Sequence, residues 1–371
     1  MTDEQVLRAL MQDRRLLRVE LAAITGLSKP TVSESVRRLA ELGLVADTGE
    51  RTSGRGRGRV GSYYALTDDI GAALVLSIAP DGVIAERVDI YGEVVARAEN
   101  HVDRPTRAAQ VAAAVEEAAV RARGSHDVRI AVVSVADPVD RETGRLVQLP
   151  SAPFLVGDLS PVEILSPHVT GAVVVDNDVN WAAQAEKRTG GAQKLDNFVY
   201  LHLGEGLGCA VVSDGEVRRG HQGIAGEIAH LLTVGSTGRA VPFIEVFAEL
   251  GLRQNGSTAI DVDRLLDAAT HGVTTTRALG AAISGVLAAL IAVVDPEVIV
   301  IGGSWGAEPV VLRAIATAFS NLPRHVPVRA ARLTAEPSLT GARRHALDSL
   351  RARIAGLPHA LRTAAVNEMA S

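Results

Sequence analysis

The stretch Leu21-Ala-Ala-Ile-Thr-Gly-Leu-Ser-Lys-Pro-Thr-Val-Ser-Glu-Ser-Val-Arg-Arg-Leu-Ala-Glu-Leu-Gly-Leu-Val45 reads as two short helices joined by a tight turn. Leu21, Ala22 and Ile24 give the first helix an apolar face. Gly26 falls where the turn needs a positive φ. Ser28 is placed to cap the second helix, and Pro30 lies near its start, where a missing N–H costs little. Val32, Val36, Leu39 and Leu42 recur at helical spacing and mark the buried stripe. Lys29, Thr31, Ser33, Ser35, Arg37 and Arg38 occupy the rest of the helix surface, and such side chains reach phosphates and base edges. The pattern predicts a helix-turn-helix, with Ser28, Lys29, Thr31, Ser33, Arg37 and Arg38 as candidate DNA contacts. An ordinary helical hairpin is the plainer alternative.

Immediately downstream, Gly43 ends the helix, Leu44-Val45-Ala46 reads as a strand, and Tyr63-Tyr64-Ala65-Leu66 as its partner. Between them, Gly49 to Gly61 is a polar, glycine-rich loop carrying Arg51, Arg55, Arg57 and Arg59. Beside a recognition helix this loop reads as a wing. Arginines on such a backbone suit a narrow, electronegative minor groove, so Arg55, Arg57 and Arg59 join the candidate DNA contacts.

Length and charge agree with this reading. A chain of 371 residues is too long for one small domain. The net charge of −5 conceals an asymmetry: through Leu66 there are eleven Arg and Lys against eight Asp and Glu, a balance of +3, and the remainder carries −8. A basic head on an acidic body fits a DNA-binding module fused to a regulatory one. The single cysteine, Cys209, forbids an intramolecular disulfide and reads as a small core residue. The N-terminus has no apolar core typical of a secretion signal. The longest apolar segment, Val286 to Val294, is broken by Asp295-Pro296 and reads as too short to span a bilayer. These features lead to an expectation of a cytoplasmic protein with no membrane partner.

Beyond Thr67 strands and helices alternate. Ala72 to Ile78, Val83 to Ile90 and Glu93 to Ala98 read as a meander, followed by a helix over Arg104 to Arg123 and strands at Arg129 to Val135 and Ala172 to Val175. A helix opens near Asn177. A second meander follows at Phe198 to Leu203, Leu207 to Ser213 and Glu216 to Arg218, then helices from Phe243 to Val294 and a buried strand at Val298 to Ile301. The pattern predicts two related α/β lobes with a ligand cleft between them. The expected division is 1–67 for the head, 68–176 for the first lobe and 177–371 for the second, with a C-terminal helix free to return to the first lobe.

Five segments in order resemble the ROK family, named for repressors, open reading frames and kinases. They are Leu21 to Lys29, Val175-Asp-Asn-Asp-Val-Asn180, Gly204-Glu-Gly-Leu-Gly208, Gly223-Ile-Ala-Gly-Glu-Ile-Ala-His230 and Asp295 to Gly303. The resemblance implies an α/β chain: an N-terminal winged helix-turn-helix followed by a two-lobed, actin-like or RNase H-like body. Members with such a head are typically sugar-responsive transcription factors, and members without it are often sugar kinases.

The resemblance also shows where this chain departs from the kinases. Their first hairpin carries Asp-x-Gly-Gly-Thr; here the stretch is Ser77-Ile-Ala-Pro80, which lacks the carboxylate for a metal, and Pro80 has no N–H for a phosphate. Their Gly-Thr-Gly loop is Gly204-Glu205-Gly206, which places a carboxylate where phosphate oxygens would lie. Phosphoryl transfer needs both elements, so no kinase activity is expected. Asp178 matches the general base of the kinases, and as the start of a helix it could equally be an N-cap.

The resemblance further implies that Asn177, Asp178, Glu227, His230 and Glu245 face a sugar in the cleft. Glu227 and His230 would share a face if Ala225 to Leu231 is helical. In the family the histidine matching His230 binds a structural zinc with three cysteines of a Cys-x-Cys-Gly-x-x-Gly-Cys segment, and that segment is Leu232 to Glu245 here, without a cysteine. No zinc and no cofactor are therefore expected, with Val241, Phe243 and Val246 holding the loop by packing. Asp137 replaces a glycine of the family's Val-Pro-Gly-x-Val-Asp turn, and Pro150-Ser151 replaces a Pro-Asn at the rim. The pocket is thus reshaped. The expected protein is a repressor of double-stranded operator DNA, a homodimer or homotetramer, sensing a sugar or sugar derivative without phosphorylating it. A sugar kinase with a fused head, a regulator of another ligand, and a regulator whose body only oligomerises remain as alternatives.

Overall fold

The computed structural model describes residues 2–51, 61–104, 107–149, 158–320 and 322–370, with side chains described through residue 359. The wing residues Arg55, Arg57 and Arg59, and Pro150-Ser151 at the rim, lie outside the described residues.

The head begins with α1 (Thr2–Gln12), followed by β1 (Leu16–Leu17), α2 (Arg18–Thr25), α3 (Lys29–Glu41), β2 (Val45–Arg51) and β3 (Ser62–Leu66). The three strands form one small sheet in the order β1-β3-β2. The turn between α2 and α3 is built as its residues dictate. Gly26 adopts φ +71°, and the Ser28 hydroxyl accepts the Thr31 N–H at 3.3 Å. The Glu20 carboxylate accepts the Leu17 N–H at 2.8 Å and closes the start of α2. Leu21, Val32, Val36 and Leu39 are buried against Val6, Leu7 and Leu10 of α1. Two expected core residues lie outside: Ile24 is 51% exposed and Leu42, at the C-cap of α3, is 37% exposed. The opposite correction applies to Ser35, which is fully buried and donates to Asp3 at 2.6 Å. The cause in each case is α1, whose arrival selects which residues of α2 and α3 face inward.

The first lobe is a five-stranded sheet in the order β6-β5-β4-β7-β8, from β4 (Ala72–Ala79), β5 (Gly82–Val88), β6 (Val94–His101), β7 (Val128–Val135) and β8 (Val173–Asn177). The β4-β5-β6 meander is antiparallel, and β7 and β8 join β4 in parallel. Both faces are covered, by α4 (Ala108–Arg123) with α5 (Pro161–Leu165) on one side and the C-terminal helix on the other, so Leu74, Val75 and Leu76 of β4 are all fully buried. The first helix of this lobe opens at Ala108, not Arg104, and Arg104 turns toward Asp81 and Glu205 instead.

After α6 (Asp178–Arg188) the second lobe repeats the plan. Strands β9 (Phe198–Leu203), β10 (Leu207–Ser213) and β11 (Glu216–Arg218) form the meander. A small hairpin of β12 (Leu232–Val234) and β13 (Ala240–Pro242) follows, then α7 (Phe243–Glu249), α8 (Val262–His271) and α9 (Val273–Val294). Strand β14 (Val298–Gly302), α10 (Pro309–Phe319) and β15 (Val328–Ala330) complete the sheet β11-β10-β9-β14-β15, with β14 parallel to β9 and β15. The apolar segment read as ending a short run is the C-terminal part of a 22-residue helix, α9, which is long and apolar enough to cross a membrane by length and composition. Its Leu279, Ile283, Val286, Leu287 and Ile291 are instead buried in the second-lobe core.

The chain ends in α11 (Pro337–Ala370), which the sequence pattern did not delineate. It packs on α6, on β4 and β7, and on α1 of the head. Gly341 is what lets α11 lie so close to α6: a Cβ there would sit 2.0 Å from the Trp181 carbonyl oxygen. Leu339, Ala342, Ala346, Leu350 and Ile354 join Val6, Leu7 and Leu10 of the head and Ala73 and Val75 of the sheet in one hydrophobic cluster. Arg351 adds polar ties, donating to the Met11 carbonyl at 3.1 Å and the Ile90 carbonyl at 3.0 Å.

Candidate functional site

A cavity of about 310 Å³ lies between the lobes, within the range of small-ligand sites. Its walls come from the strand ends that the two related sheets turn toward each other. The β4–β5 turn supplies Pro80 and Asp81, and the segment after β7 supplies Ala136, Asp137 and Pro138. The β8–α6 junction supplies Asn177, Asp178 and Asn180; β9 and the following turn supply His202, Gly204 and Glu205. Glu227 and His230 close it.

Asn177, not Asp178, caps α6: its side-chain oxygen accepts the Val179 N–H at 2.9 Å, while its amide donates to the Asp137 carbonyl at 3.2 Å. With the cap already provided, the Asp178 carboxylate is left to face the cavity from the first turn of the helix. Burial raises its pKa above the ordinary carboxylate value, opposed by the nearby His202. The His202 ring, which sequence reasoning did not single out, has its pKa lowered by the same burial. Its signal was present, a lone histidine in an otherwise apolar strand, but alternation alone does not tell which lobe face meets the cleft.

Glu227 also lines the cavity, although Ala225 to Leu231 is a run of turns rather than a helix. The reason is Gly226, at φ +101°, where a Cβ would collide with the Cys209 carbonyl oxygen at 1.9 Å. That contact presses the segment onto β10 and breaks helical continuity. Burial, then the neighbouring charge of Asp178, pushes the Glu227 carboxyl up to about 7. Cys209 is buried, and desolvation pushes its thiol up to about 12, which suits a core residue rather than a nucleophile.

Glu245 is not brought to this cavity. It sits in the first turn of α7 and accepts from Arg253 at 3.0 Å. The segment Leu232–Glu245 forms the β12–β13 hairpin, with the Gly235 N–H donating to the Arg239 carbonyl at 2.7 Å and Ser236 bound to Glu249. Phe243 and Val246 are fully buried beneath it, and Val241 packs against the same cluster. With Cys209 the sole thiol of the chain, and on another strand, this donor set does not fit the family's structural zinc.

Neither do the phosphate-binding elements fit nucleotide. Arg104 donates to Glu205 at 3.0 Å and to Asp81 at 3.3 Å, so the turn at Pro80 and the turn at Gly204–Gly206 meet through an ion-paired bridge. A triphosphate there would confront two carboxylates and a proline nitrogen without a proton.

In the head, Ser28 and Lys29 are exposed at the start of α3, and Thr31 and Ser33 are half-buried. Arg37 is exposed but paired within its own helix, to Glu34 at 2.6 Å and to Glu41. Arg38 ties α3 to α1 through the buried Asp3, at 2.7 Å.

The fold is thus a winged helix-turn-helix joined to a two-lobed α/β body of actin-like plan. A family model described as "ROK family" matches residues 87–348, and one described as "Winged helix-turn-helix DNA-binding" matches residues 2–46. The chain belongs to the ROK family. It is similar to the xylose repressor of Caldicellulosiruptor bescii, 24% identical over 233 residues, covering 61% of this chain and 57% of that one. It is also similar to the glucokinase of Streptomyces coelicolor, 28% identical over 165 residues, covering 44% of this chain and 51% of that one. The chain therefore spans little more than half the length of these relatives. Among solved structures, a ROK family transcriptional regulator described as a homologue of the E. coli MLC protein superposes with a TM-score of 0.63 at 20% identity, over 95% of this chain and 98% of that one. The ROK hexokinase from Thermus thermophilus superposes with a TM-score of 0.58 at 26% identity, over 76% of this chain and 99% of that one.

Proposed function

We propose that this protein is a DNA-binding transcriptional repressor whose body senses a sugar-class effector without phosphorylating it. The observation that carries the reading is the Arg104 bridge to Glu205 and Asp81, which fills with paired charge the place where a kinase of this fold holds phosphates. The helix-turn-helix head supplies the output. Ser28, Lys29, Thr31 and Ser33 are its principal DNA contacts, and Arg37 engages phosphate by exchanging Glu34 or Glu41 for the backbone. Arg38 serves mainly to hold α1 against α3. Arg55, Arg57 and Arg59 reach the minor groove from the wing.

Asn177, Asp178, Glu227 and His230 form the effector site, to which we add Asp137 and His202. Carboxylates of this kind accept hydroxyls, and the cap made by Asn177 orients Asp178. Glu245 acts on the site only through α7. The coupling element is α11, because α6 carries Asp178 and packs along α11, which in turn packs on α1. Effector changes DNA affinity if it favours one arrangement of the lobes. The protein acts in the cytoplasm as a homodimer or homotetramer, placing two heads on half-sites about one helical turn apart.

The retained Asp178 favours one rival, a sugar kinase with a fused head. Two assays on the full chain separate the readings. Fluorescence anisotropy on promoter fragments should show affinity that falls by roughly 0.9 log units per log unit of salt for each phosphate neutralised. A coupled ADP-release assay should show no turnover with any monosaccharide, and turnover abolished by Asp178→Asn would establish the kinase instead.

A further inference from the structure

A second cavity, of about 530 Å³, lies where the head joins the body and shares no lining residue with the cleft between the lobes. Three pieces of chain meet around it: Arg14 of the head, the linking turn Asp68–Ile70, and Arg87, Tyr91 and Val95 of the first lobe. Most of its charges are already matched. Arg14 pairs with Glu93 and stacks over the Tyr91 ring, 4.5 Å from the centroid. Asp89 accepts the N–H groups of Tyr91 at 2.9 Å and Glu93 at 2.8 Å. Asp127 pairs with Arg129 at 3.2 Å. Three are left over among the described residues. Arg87 on β5 is half-buried, forms no ion pair or hydrogen bond there, and its Nε is enclosed without an acceptor. Asp68 and Asp69 are exposed on the linking turn and form no ion pair among the described residues. A guanidinium and two carboxylates thus line one cavity, from the lobe and from the linker, without meeting.

We propose that this cavity is a second ligand site and that its ligand is a small zwitterion: an α-amino acid, with its carboxylate on Arg87 and its ammonium on Asp68 or Asp69. A guanidinium presents a planar fork that holds a carboxylate through two parallel hydrogen bonds. An ammonium offers three donors to carboxylates that only accept. A simple anion would answer Arg87 but face Asp68 and Asp69, and a simple cation would answer the acids but face Arg87. A ligand carrying both signs answers both. The walls indicate its side chain. Leu66, Ile70 and Ile90 are buried around the cavity, and Val95 is 48% exposed, so an apolar or aromatic side chain removes Val95 from water. The bound ligand would tie the linking turn, which carries the head, to β5 of the first lobe. The site stands on other residues than the sugar-sensor reading and does not depend on it.

The test is a thermal-shift screen of the full-length wild-type chain against the standard L-amino acids, followed by calorimetry at pH 7 on those that shift it. Each is compared with two analogues of the same skeleton, the amine without the carboxylate and the acid without the ammonium. For phenylalanine these are 2-phenylethylamine and 3-phenylpropionate. At least one apolar or aromatic amino acid should bind, about tenfold or more tightly than either analogue. Arg87→Gln should weaken that binding about tenfold, and Asp68→Asn combined with Asp69→Asn several-fold. The comparison of analogues on the wild type needs no variant to fold. Binding by no amino acid overturns the proposal, and so does an acid or an amine that binds as tightly as its amino acid. An affinity untouched in an Arg87→Gln chain that melts like the wild type overturns it as well, by placing the ligand elsewhere.

Discussion

The Arg104 guanidinium reaches across the mouth of the cleft and donates to the Glu205 carboxylate at 3.0 Å, linking the first lobe to the turn of the second. The same group donates to Asp81 at 3.3 Å and to Gln254 at 3.2 Å. Both members of the Arg104–Glu205 pair are about one-third exposed, so the bridge contributes little to global stability, within about 1 kcal/mol. Its consequence is local: it sets how far the lobes open and what the mouth admits.

Arg104→Ala should therefore leave Tm nearly unchanged and weaken effector binding about three- to tenfold, as a closing contact is lost. Thermal melts and calorimetry check both. ATP with magnesium should give no thermal shift in the wild type or in Glu205→Thr, because Pro80 still offers no N–H. A shift in the wild type would overturn the argument that the phosphate site is closed.

Arg351 joins the last helix to the head at Met11 and to the sheet at Ile90. Arg351→Ala should cost about 1–3 kcal/mol, since two carbonyls lose a charged donor. Its more specific effect should be on communication. Anisotropy should show operator binding retained while the change in affinity caused by effector is lost or sharply reduced. A full response in the variant would place the coupling elsewhere than α11.

Two basic residues of α3 should behave oppositely. Arg38 faces Asp3, whose side chain is 3% exposed and also accepts from Ser35. Arg38→Ala should destabilise the head by about 2 kcal/mol by stripping a buried carboxylate of its cation. Lys29→Ala should leave the stability within about 0.5 kcal/mol of wild type and reduce the salt slope of DNA binding by about one phosphate. Melting curves and anisotropy at several salt concentrations distinguish the two.

Stability should depend on pH through Glu227. Its carboxyl moves from an ordinary 4.5 to about 7 on folding. Between these values the folded chain holds a proton that the unfolded chain has released, so stability falls as pH rises through that window. Asp178, also raised, adds in the same direction; the lowered His202 opposes it by penalising the fold when pH drops below the ordinary histidine range. Glu227→Gln should gain on wild type by on the order of 2 kcal/mol at pH 8 relative to pH 5. Chemical denaturation at the two pH values measures this difference, and an equal gain at both would show that Glu227 ionises normally in the fold.

Elements whose signal is local were legible in advance. The second meander, Phe198–Leu203, Leu207–Ser213 and Glu216–Arg218, has the bounds that alternation and the Asp214-Gly215 turn mark out. Gly26 and Ser28 announced their turn and cap because φ and capping depend on a few neighbouring residues. The candidate site was legible only in part. Glu227 was named through the family resemblance, but the helix on which it would share a face with His230 does not form, since the collision that forbids it lies with Cys209, seventeen residues back from Gly226 in the chain. Glu245 was expected in the cleft, but it does not line the cavity and instead pairs with Arg253.

The sequence by itself determined the class of this protein: a helix-turn-helix head, a duplicated α/β body, and phosphate loops stripped of their chemistry, all encoded in short runs of residue type and spacing. Only the tertiary structure decided which carboxylates share one cavity, that Arg104 bridges its mouth, and that α11 ties α6 to the head. The physical reason is range. Turns, caps and strand alternation are settled within a few residues, whereas burial, charge and pKa depend on partners up to hundreds of residues apart, such as Arg351 and Met11, and those partners meet only when the chain is folded.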